Sequence, residues 1–559
     1  MKLRVRLKAL FFPPAGSPMR IMILPYAVLL LLTVGLISGG AYAWSYSNST
    51  KFCGTTCHTM PPQNAVYVRS PHANVTCEEC HIGRASFFEQ LPRKAQGIKE
   101  TYDTIFNLYE LPIRAQALRP ARETCEKCHQ PETFSDDSLR NVVHFAQDTQ
   151  NTGTTTYLIM KTGGGAKREG LGRGIHWHIV NKVEYFATDA LSQDIPYVRV
   201  VNDDGSSTEY VDVEANFDPA SIQPGSLKSM DCLTCHNRVT HEFADPAESV
   251  DLAMSRGLID PSIPSIRLKA VEVLSQSYAD REMAMRGIAD LKRYYENSEY
   301  KDPVTVQGAI VAIQDIYDHT VFHDQKIDWT TYPNSLGHFD APGCFRCHDG
   351  KHLDADQKAI RLECNVCHSI PVVAGAADFV TNIEISRGPE PESHLNPNWI
   401  SLHNRSMDAA CTACHTTEDA GGTSNTSFCS NSACHGNVFT YAGFDAPKLR
   451  EVLQSQLPPP VPMPTPGPAP ENPTYAANVG DFLQATCTGC HNATMLAGGL
   501  DLTSYAAAIL GGKDGAVIIP GDAEGSLLVS VQAGKHFANL PPAELDIVRQ
   551  WIEAGAPEQ

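Results

Sequence analysis

The chain has 559 residues, with 63 acidic against 44 basic side chains and a formal net charge of −19. That excess of negative charge argues against nucleic acid as a partner and for basic or small ones. The length exceeds one compact core, so two or three domains are expected.

The chain opens with Lys2, Arg4, Arg6, Lys8 and Arg20, then runs apolar and uncharged from Ile21 to Trp44. This run of 24 residues is long enough to cross a bilayer of about 30 Å at about 1.5 Å per residue. A basic flank stays in the cytoplasm, so the rest of the chain is expected on the periplasmic side of a bacterial inner membrane, held by a single span. Ala41-Tyr42-Ala43 resembles a signal-peptidase site. The run is longer than the apolar part of an ordinary signal peptide, which favours a retained anchor. Residues 1–46 are therefore read as basic tail and transmembrane anchor.

Beyond the anchor one pattern occurs nine times. Cys77-Glu-Glu-Cys80-His81 is a C-x-x-C-H sequence, the attachment signal for haem c. Two thiols form thioethers to the haem vinyl groups, and the adjacent imidazole ligates iron. The cysteines pair as Cys53/Cys57, Cys77/Cys80, Cys125/Cys128, Cys232/Cys235, Cys344/Cys347, Cys364/Cys367, Cys411/Cys414, Cys429/Cys434 and Cys487/Cys490. They are followed in turn by His58, His81, His129, His236, His348, His368, His415, His435 and His491. Seven motifs keep the two-residue spacer; the first has three residues and the eighth four. All 18 cysteines are used, leaving none for a disulfide. A disulfide framework or zinc ribbons would not put a histidine after every second cysteine. Nine covalent haem c groups, each with its iron, are expected, and the protein then wraps cofactors rather than building a conventional core.

Bis-imidazole iron needs one distant donor per haem, and twelve of the 21 histidines lie outside the motifs. The candidates for second ligands are His72, His144, His176, His178, His319, His323, His338, His403 and His536. His241 and His352, a few residues after a motif, are placed to reach a neighbouring haem rather than their own.

Residues 84–110 read as one amphipathic helix, with Leu91, Ala95, Ile98, Tyr102, Ile105 and Tyr109 on a stripe. Two readings stay open there: a helix at the lipid interface whose polar side lines a quinol pocket, or an ordinary packed helix with a solvated face. Residues 136–228 are β-rich, with Asn202-Asp-Asp-Gly205 as a hairpin signal. His176 and His178 would share one face of a strand. Residues 246–323 turn helical, most strongly over 279–295 and 304–322, with His319 and His323 on one helical face. Residues 441–473 form a linker whose final part, 458–473, holds nine prolines, and polyproline II at about 3.1 Å per residue makes it a semi-rigid spacer.

Two resemblances follow. Residues 474–559 resemble a small monohaem cytochrome c, through Cys487-Thr-Gly-Cys-His491, Ile519-Pro-Gly-Asp522 and a closing helix. That family usually offers Met before the Pro-Pro pair, where this chain has Leu540. His536 is therefore the expected sixth ligand, with Met495 as the weaker candidate. Cys53-x3-Cys57-His58-x-Met60, followed by Ser70-x-His72-x-x-Val75-x-Cys77, resembles the opening of the NapC/NirT/NrfH family of membrane-anchored multihaem quinol dehydrogenases. Over residues 20–440 the chain is similar to the longer, ImcH-like inner-membrane members. The resemblance implies that Met60 rather than His58 ligates the first iron, with quinol as substrate near it. It also implies a lysine and an acid at the quinol, for which Lys94 with Glu100 or Asp103 are the candidates.

The expected fold class is a mainly α and irregular multihaem cytochrome c over residues 47–440, with one N-terminal transmembrane helix, a small β-rich insertion and a C-terminal α-helical cytochrome c domain. The expected function is to take electrons from membrane quinol and pass them along the haems to soluble periplasmic cytochromes or reductases. A terminal reductase of a small nitrogen or sulfur substrate is the rival. The chain has no C-x-x-C-K motif, the lysine-ligated signature of the nitrite reductase family. A passive electron conduit without a quinol site is the third reading.

Overall fold

The structure is a computed structural model. It describes residues 11–12, 16–56, 59–115, 118–131, 137–163, 174–202, 204–375, 378, 396–403, 415, 418–444, 446–455, 472–488, 491–493, 496–513, 515–533 and 539–559. The chain divides into two units. One comprises Met1–Gln130, Arg238–Val250 and Ala270–Tyr332, the other Pro131–Asn237, Asp251–Lys269 and Pro333–Gln559.

The first unit begins with the apolar helix α1, Met19–Ser47. Its large side chains are exposed along most of its length, including Leu31, Leu36 and Ile37. Exposed leucine in such a run fits a lipid surround. Ala41-Tyr42-Ala43 lies inside this helix. Four short helices follow: α2 (Thr50–Thr55), α3 (Pro61–Tyr67), α4 (Cys77–His81) and α5 (Phe87–Gln96). The last leads into α6 (Ile98–Ile105). Thr76 and Glu79 form a reciprocal capping box that starts α4 at the first cysteine of its motif. The single helix expected over 84–110 is thus two, divided at Gly97, which caps α5 at its C-terminus and α6 at its N-terminus. Glycine has the least to gain from continuing a helix.

The core of this unit is the helical segment predicted from periodicity. It falls as Arg281–Ala289, Leu291–Glu296 and Pro303–Thr320. Asp302 caps the last of these through Val304 and Thr305 N–H, and Pro303 sits where its missing N–H costs nothing. Ala284, Ile288, Leu291, Tyr295, Val306, Ile310, Ile313 and Tyr317 are buried between them. Asp290 interrupts the predicted 279–295 helix.

The second unit holds two antiparallel sheets. The first has order β1-β2-β8 and the second β6-β3-β4-β5-β7. The strands are β1 Ser138–Phe145, β2 Gly153–Met160, β3 Val183–Phe186, β4 Tyr197–Val201, β5 Ser207–Asp212, β6 Lys228–Ser229, β7 His352–Leu353 and β8 Val372–Gly375. Six strands lie in or at the edge of the β-rich segment, and the expected hairpin joins β4 to β5 with Val201 opposite Ser207. The other two strands come from after the fifth and sixth motifs, so each sheet is completed by haem-bearing chain. Val183, Tyr185, Ile195, Val198 and Cys347 pack into one core. His176 and His178 are not on a strand: His176 caps the helical turn Trp177–Val180. The C-terminal segment forms its own cluster, with Val479, Leu483, Cys487, Leu540, Val548, Trp551 and Ile552 buried around the closing helix Pro542–Glu553.

Candidate haem sites and the membrane-facing cleft

Several of the described motifs are built as single helical turns. Cys232–Cys235 and Cys364–Cys367 are α-helical, while Cys125–Lys127 and Gly343–Arg346 are tighter turns. Residues three apart on a turn face the same way, which is what two bonds to one porphyrin edge require. The histidine N–H closes the turn on the carbonyl of the first cysteine: His129 on Cys125 at 2.8 Å, His236 on Cys232 at 2.8 Å, His348 on Cys344 at 2.9 Å, His368 on Cys364 at 3.3 Å and His491 on Cys487 at 2.9 Å. The long spacer of the eighth motif changes this. Its closing bond runs from His435 to Asn431 at 3.0 Å, so Cys429 sits on a separate turn. Among the described residues fourteen cysteines are seen, and none of them is in a disulfide. Cys57, His58, Cys411, Cys414, Cys490, Met495 and His536 lie outside the described residues, as does residues 456–471 of the proline-rich linker.

In the two tighter turns the second cysteine falls just past the turn, with Cys128 N–H on Cys125 O at 3.1 Å and Cys347 N–H on Cys344 O at 3.2 Å. Cys347 is buried in the core beneath the second sheet, whereas Cys128 and Cys80 are exposed on the polypeptide. The Cys128 thiol lies beside the Arg84 side chain.

Neighbouring motifs meet at their cysteines. Cys77 hydrogen-bonds with Cys53, Cys344 with Cys367, and Cys364 with Cys434. The sixth motif therefore touches both the fifth and the eighth.

Motif histidines face distant histidines in five places. Ring centroids are 6.0 Å apart for His72 and His129, 6.3 Å for His81 and His241, 5.7 Å for His178 and His348, 6.4 Å for His338 and His368, and 6.4 Å for His403 and His435. Two imidazoles bound to opposite faces of one metal, each at about 2.0 Å, have centroids about 6 Å apart. The pairs therefore fit iron held by two imidazoles. Hydrogen bonding agrees. Nδ1 of His178, His348, His368 and His403 donates to the carbonyls of Ile175 at 2.7 Å, Arg361 at 2.5 Å, Ser369 at 2.6 Å and Ile400 at 2.5 Å. His241 Nδ1 donates to Gln63 at 3.2 Å and His491 Nδ1 to Ala497 at 2.9 Å. A carbonyl can only accept, so the proton is on Nδ1 and the Nε2 lone pair is left for a metal.

The other predicted donors differ. His323 Nε2 lies 2.9 Å from the Tyr317 hydroxyl, and side-chain exposure of His144 is 55% beside Asp251 at 3.7 Å. His319 shares the Nδ1 pattern, donating to Asp315 at 2.6 Å, but no ring-to-ring contact with a motif histidine accompanies it among the described residues. His176 is half-buried at the start of its turn. Both nitrogens of His352 are used, by Asp349 at 2.9 Å and the Ile195 carbonyl at 2.6 Å. His241, which follows the fourth motif, faces His81 of the second motif rather than its own motif's histidine.

At the foot of α1 an open cleft of about 760 Å³ is lined by Thr76, Glu78, Glu79, Arg84, Ser86 and Gln90, among others. Gln90 Nε2 donates to Glu78 Oε1 at 2.5 Å, and Arg84 holds Glu79 at 2.7 Å. Beside it α5 docks on the end of α1: Trp44 and Phe87 rings are 4.6 Å apart, and Lys94 Nζ lies 2.8 Å from Ser47 Oγ and 4.5 Å from the Trp44 ring centre. Burial holds the Lys94 ammonium below its usual pKa, and Glu78 pulls the other way. Of the predicted acids, Asp103 pairs with Lys99 at 2.6 Å and Glu100 is exposed on the same helix; neither lines the cleft. Glu78 and Gln90 do, and sequence reading missed them because Glu78 is hidden in the spacer of a haem motif. Met60 caps α3 and is half-buried.

Residues 17–121 match the family model described as NapC/NirT cytochrome c family, N-terminal region, and residues 487–544 match Planctomycete cytochrome C. The chain is 37% identical over 406 residues to the cytochrome c-type protein ImcH of Geobacter sulfurreducens, covering 70% of this chain and 76% of that one. It is 27% identical over 117 residues to the cytochrome c nitrite reductase subunit NrfH of Nitratidesulfovibrio vulgaris, covering 19% of this chain and 72% of that one. Against the cytochrome c-type protein NrfH of Wolinella succinogenes it is 30% identical over 108 residues, covering 19% and 60%. No solved structure matches. An apolar helix long enough to span a bilayer, haem motifs starting at its foot, and this likeness over most of the chain agree: the protein is a membrane-anchored electron-transport cytochrome c and belongs to the NapC/NirT family.

Proposed function

We propose that the protein takes electrons from membrane quinol at the cleft beside α1 and passes them outward, through nine haems, to soluble periplasmic cytochromes or reductases. The observation that carries the reading is the cleft itself: carboxylates of the second haem motif and an amide of α5, the helix that docks on the end of the apolar span through Phe87 and Lys94. Haem c, when bound, supplies a one-electron iron couple at each motif.

The chain's own groups supply the rest. Quinol oxidation releases two protons with two electrons, so a proton acceptor must stand at the quinol. Glu78, hydrogen-bonded to Gln90, is that acceptor, and Lys94 orients the quinol oxygen. Met60 is the thioether beside the first motif. The stripe of α5 and α6 supports the interfacial reading over the packed one: Phe88, Leu91, Ile98, Tyr102, Ile105 and Phe106 are all exposed, as suits side chains that lie in lipid. The N-terminus is then cytoplasmic and both units periplasmic. The five ring pairs would hold the irons of the second, third, fifth, sixth and eighth haems, and His352, with both nitrogens engaged, is a structural residue.

The test is reduction of the holoprotein in liposomes by a water-insoluble menaquinol. Glu78→Gln and Lys94→Met should each slow it about 10²-fold, the lower range for loss of a general base, while a soluble reductant still reduces every haem. Wild-type rates in both variants would defeat the placement of the site.

A further inference from the structure

The position of one half-buried cation in the first unit is unexplained by the ligand pairs. Arg238 stacks on the Tyr332 ring, with its guanidinium carbon 4.2 Å from the ring centre. Its Nε–H is buried and makes no hydrogen bond. Tyr332 is itself 6% exposed, and its hydroxyl donates to the Ile113 carbonyl at 2.5 Å. The nearest further charges are of the same sign: Arg114 is close enough to repel Arg238, and Arg238 in turn acts on His241.

Among the described residues no carboxylate pairs with Arg238. This is unexpected in a chain of net charge −19. A guanidinium withdrawn from water without a counter-ion is strongly destabilising, and it is retained only where something repays the desolvation. The stacking on tyrosine recovers part of that cost. It leaves the Nε–H, on an edge suited to a planar carboxylate, without an acceptor among the described residues.

We propose that Arg238, assisted by Arg114, binds a propionate carboxylate of the haem held by His81 and His241. This rests on the reading that those two imidazoles share one iron. Haem carries its carboxylates on the porphyrin edge, and Arg238 precedes His241 by three residues in a short segment of the same unit. The consequence is electrostatic. A fixed positive charge on the propionate cancels charge that stabilises ferric iron, so it favours the reduced state of this haem over its neighbours.

The experiment is a potentiometric titration of the intact holoprotein, followed by optical and EPR spectra that resolve single haems. The haem in question is identified first, as the one whose low-spin signal becomes high-spin in His241→Ala. Arg238→Gln should move that haem to lower potential by about tenfold in its one-electron equilibrium, about 59 mV, with nine haems still counted by mass. Arg238→Lys, which keeps the charge but not the fork, should give a smaller shift of the same sign. Arg69→Gln, in an exposed pair with Asp315 at 2.9 Å, should give none. Titrating the wild type in chloride and in sulfate separates a built-in carboxylate from an exchangeable anion, since only the latter makes the potential follow the salt. An unshifted potential in Arg238→Gln, a shift on a different haem, or a potential that follows the salt overturns the proposal. An unchanged spectrum in His241→Ala instead overturns the ligand pair on which it rests.

Discussion

Arg346 sits inside the fifth motif, between Cys344 and Cys347, and is 8% exposed. Its Nε donates to Gly343 O at 2.9 Å, and its two terminal nitrogens donate to Ser192 O at 2.9 Å and to Thr234 O at 2.6 Å. Thr234 lies between the cysteines of the fourth motif, so one guanidinium ties two haem-attachment turns together. Arg346→Met removes all three bonds while keeping most of the volume. Each charge-assisted bond contributes about 1.5–3 kcal/mol, so the gross loss is about 5–9 kcal/mol. Relief from burying an unpaired charge returns several kcal/mol. The net destabilisation should be about 3 kcal/mol, a fall of about 4 °C in melting temperature for a unit of this size. Thermal melting of the purified holoprotein, monitored at the haem Soret band, measures it. Limited proteolysis should then cut near residues 343–347 in the variant before the wild type. A melting temperature within about 1 °C of wild type would show that those carbonyls are satisfied otherwise, and would refute the argument.

Three further outcomes follow from the same structure. Asp251, with side-chain exposure of 5%, is paired with Arg267 at 3.0 Å. Burial alone would raise its pKa, but the His144 ring at 3.7 Å and the hydrogen bonds from Arg267 outweigh burial and hold it below the usual value. A depressed carboxyl stabilises the fold fully above the unfolded value of about 3.9 and loses that contribution as pH falls through the folded one. Asp251→Asn should therefore lower the melting temperature at pH 7, and the gap to wild type should narrow as pH falls below about 3.9; a gap independent of pH would contradict this. Phe88→Glu with Ile105→Glu places charge on side chains that are 82% and 68% exposed. Quinol-driven reduction in liposomes should fall severalfold while reduction by a soluble donor is unchanged, and equal rates would mean the stripe does not meet lipid. Trp551→Ala removes a fully buried ring whose Nε1 donates to Pro557 O at 2.8 Å. The loss should be about 3–5 kcal/mol and confined to the C-terminal segment, as seen in earlier protease cleavage there; unchanged protease resistance would count against that core.

What could be read from the chain alone was local. The haem motifs are short, covalent and periodic, so spacing identified them before any fold was known. The helix Pro303–Thr320 and the hairpin β4–β5 were legible for the same reason. Pairing was not. His81 meets His241, and His178 meets His348, across long stretches of sequence, and nothing in a histidine's neighbours names the iron it will reach. Nor does spacing say how deep a thiol sits: Cys128 and Cys347 belong to identical motifs on similar turns, yet one is exposed and the other buried. The acids at the cleft were hidden differently. Glu100 and Asp103 are the acids that the family resemblance offers beside Lys94, but both lie on α6, beyond the break at Gly97 that separates it from α5. Glu78 reaches the cleft because its turn is capped by Thr76 and packs beneath α5 through Gln90.

The imidazoles of His178, His348, His368 and His403 are steadied by main-chain carbonyls rather than by carboxylates or solvent. A carboxylate partner would draw a ring towards imidazolate and tie its electron affinity to acidity outside. A peptide oxygen does neither. Under the proposed function, electron flow through these centres should be insensitive to swings in outside acidity, leaving proton traffic to the proposed quinol cleft.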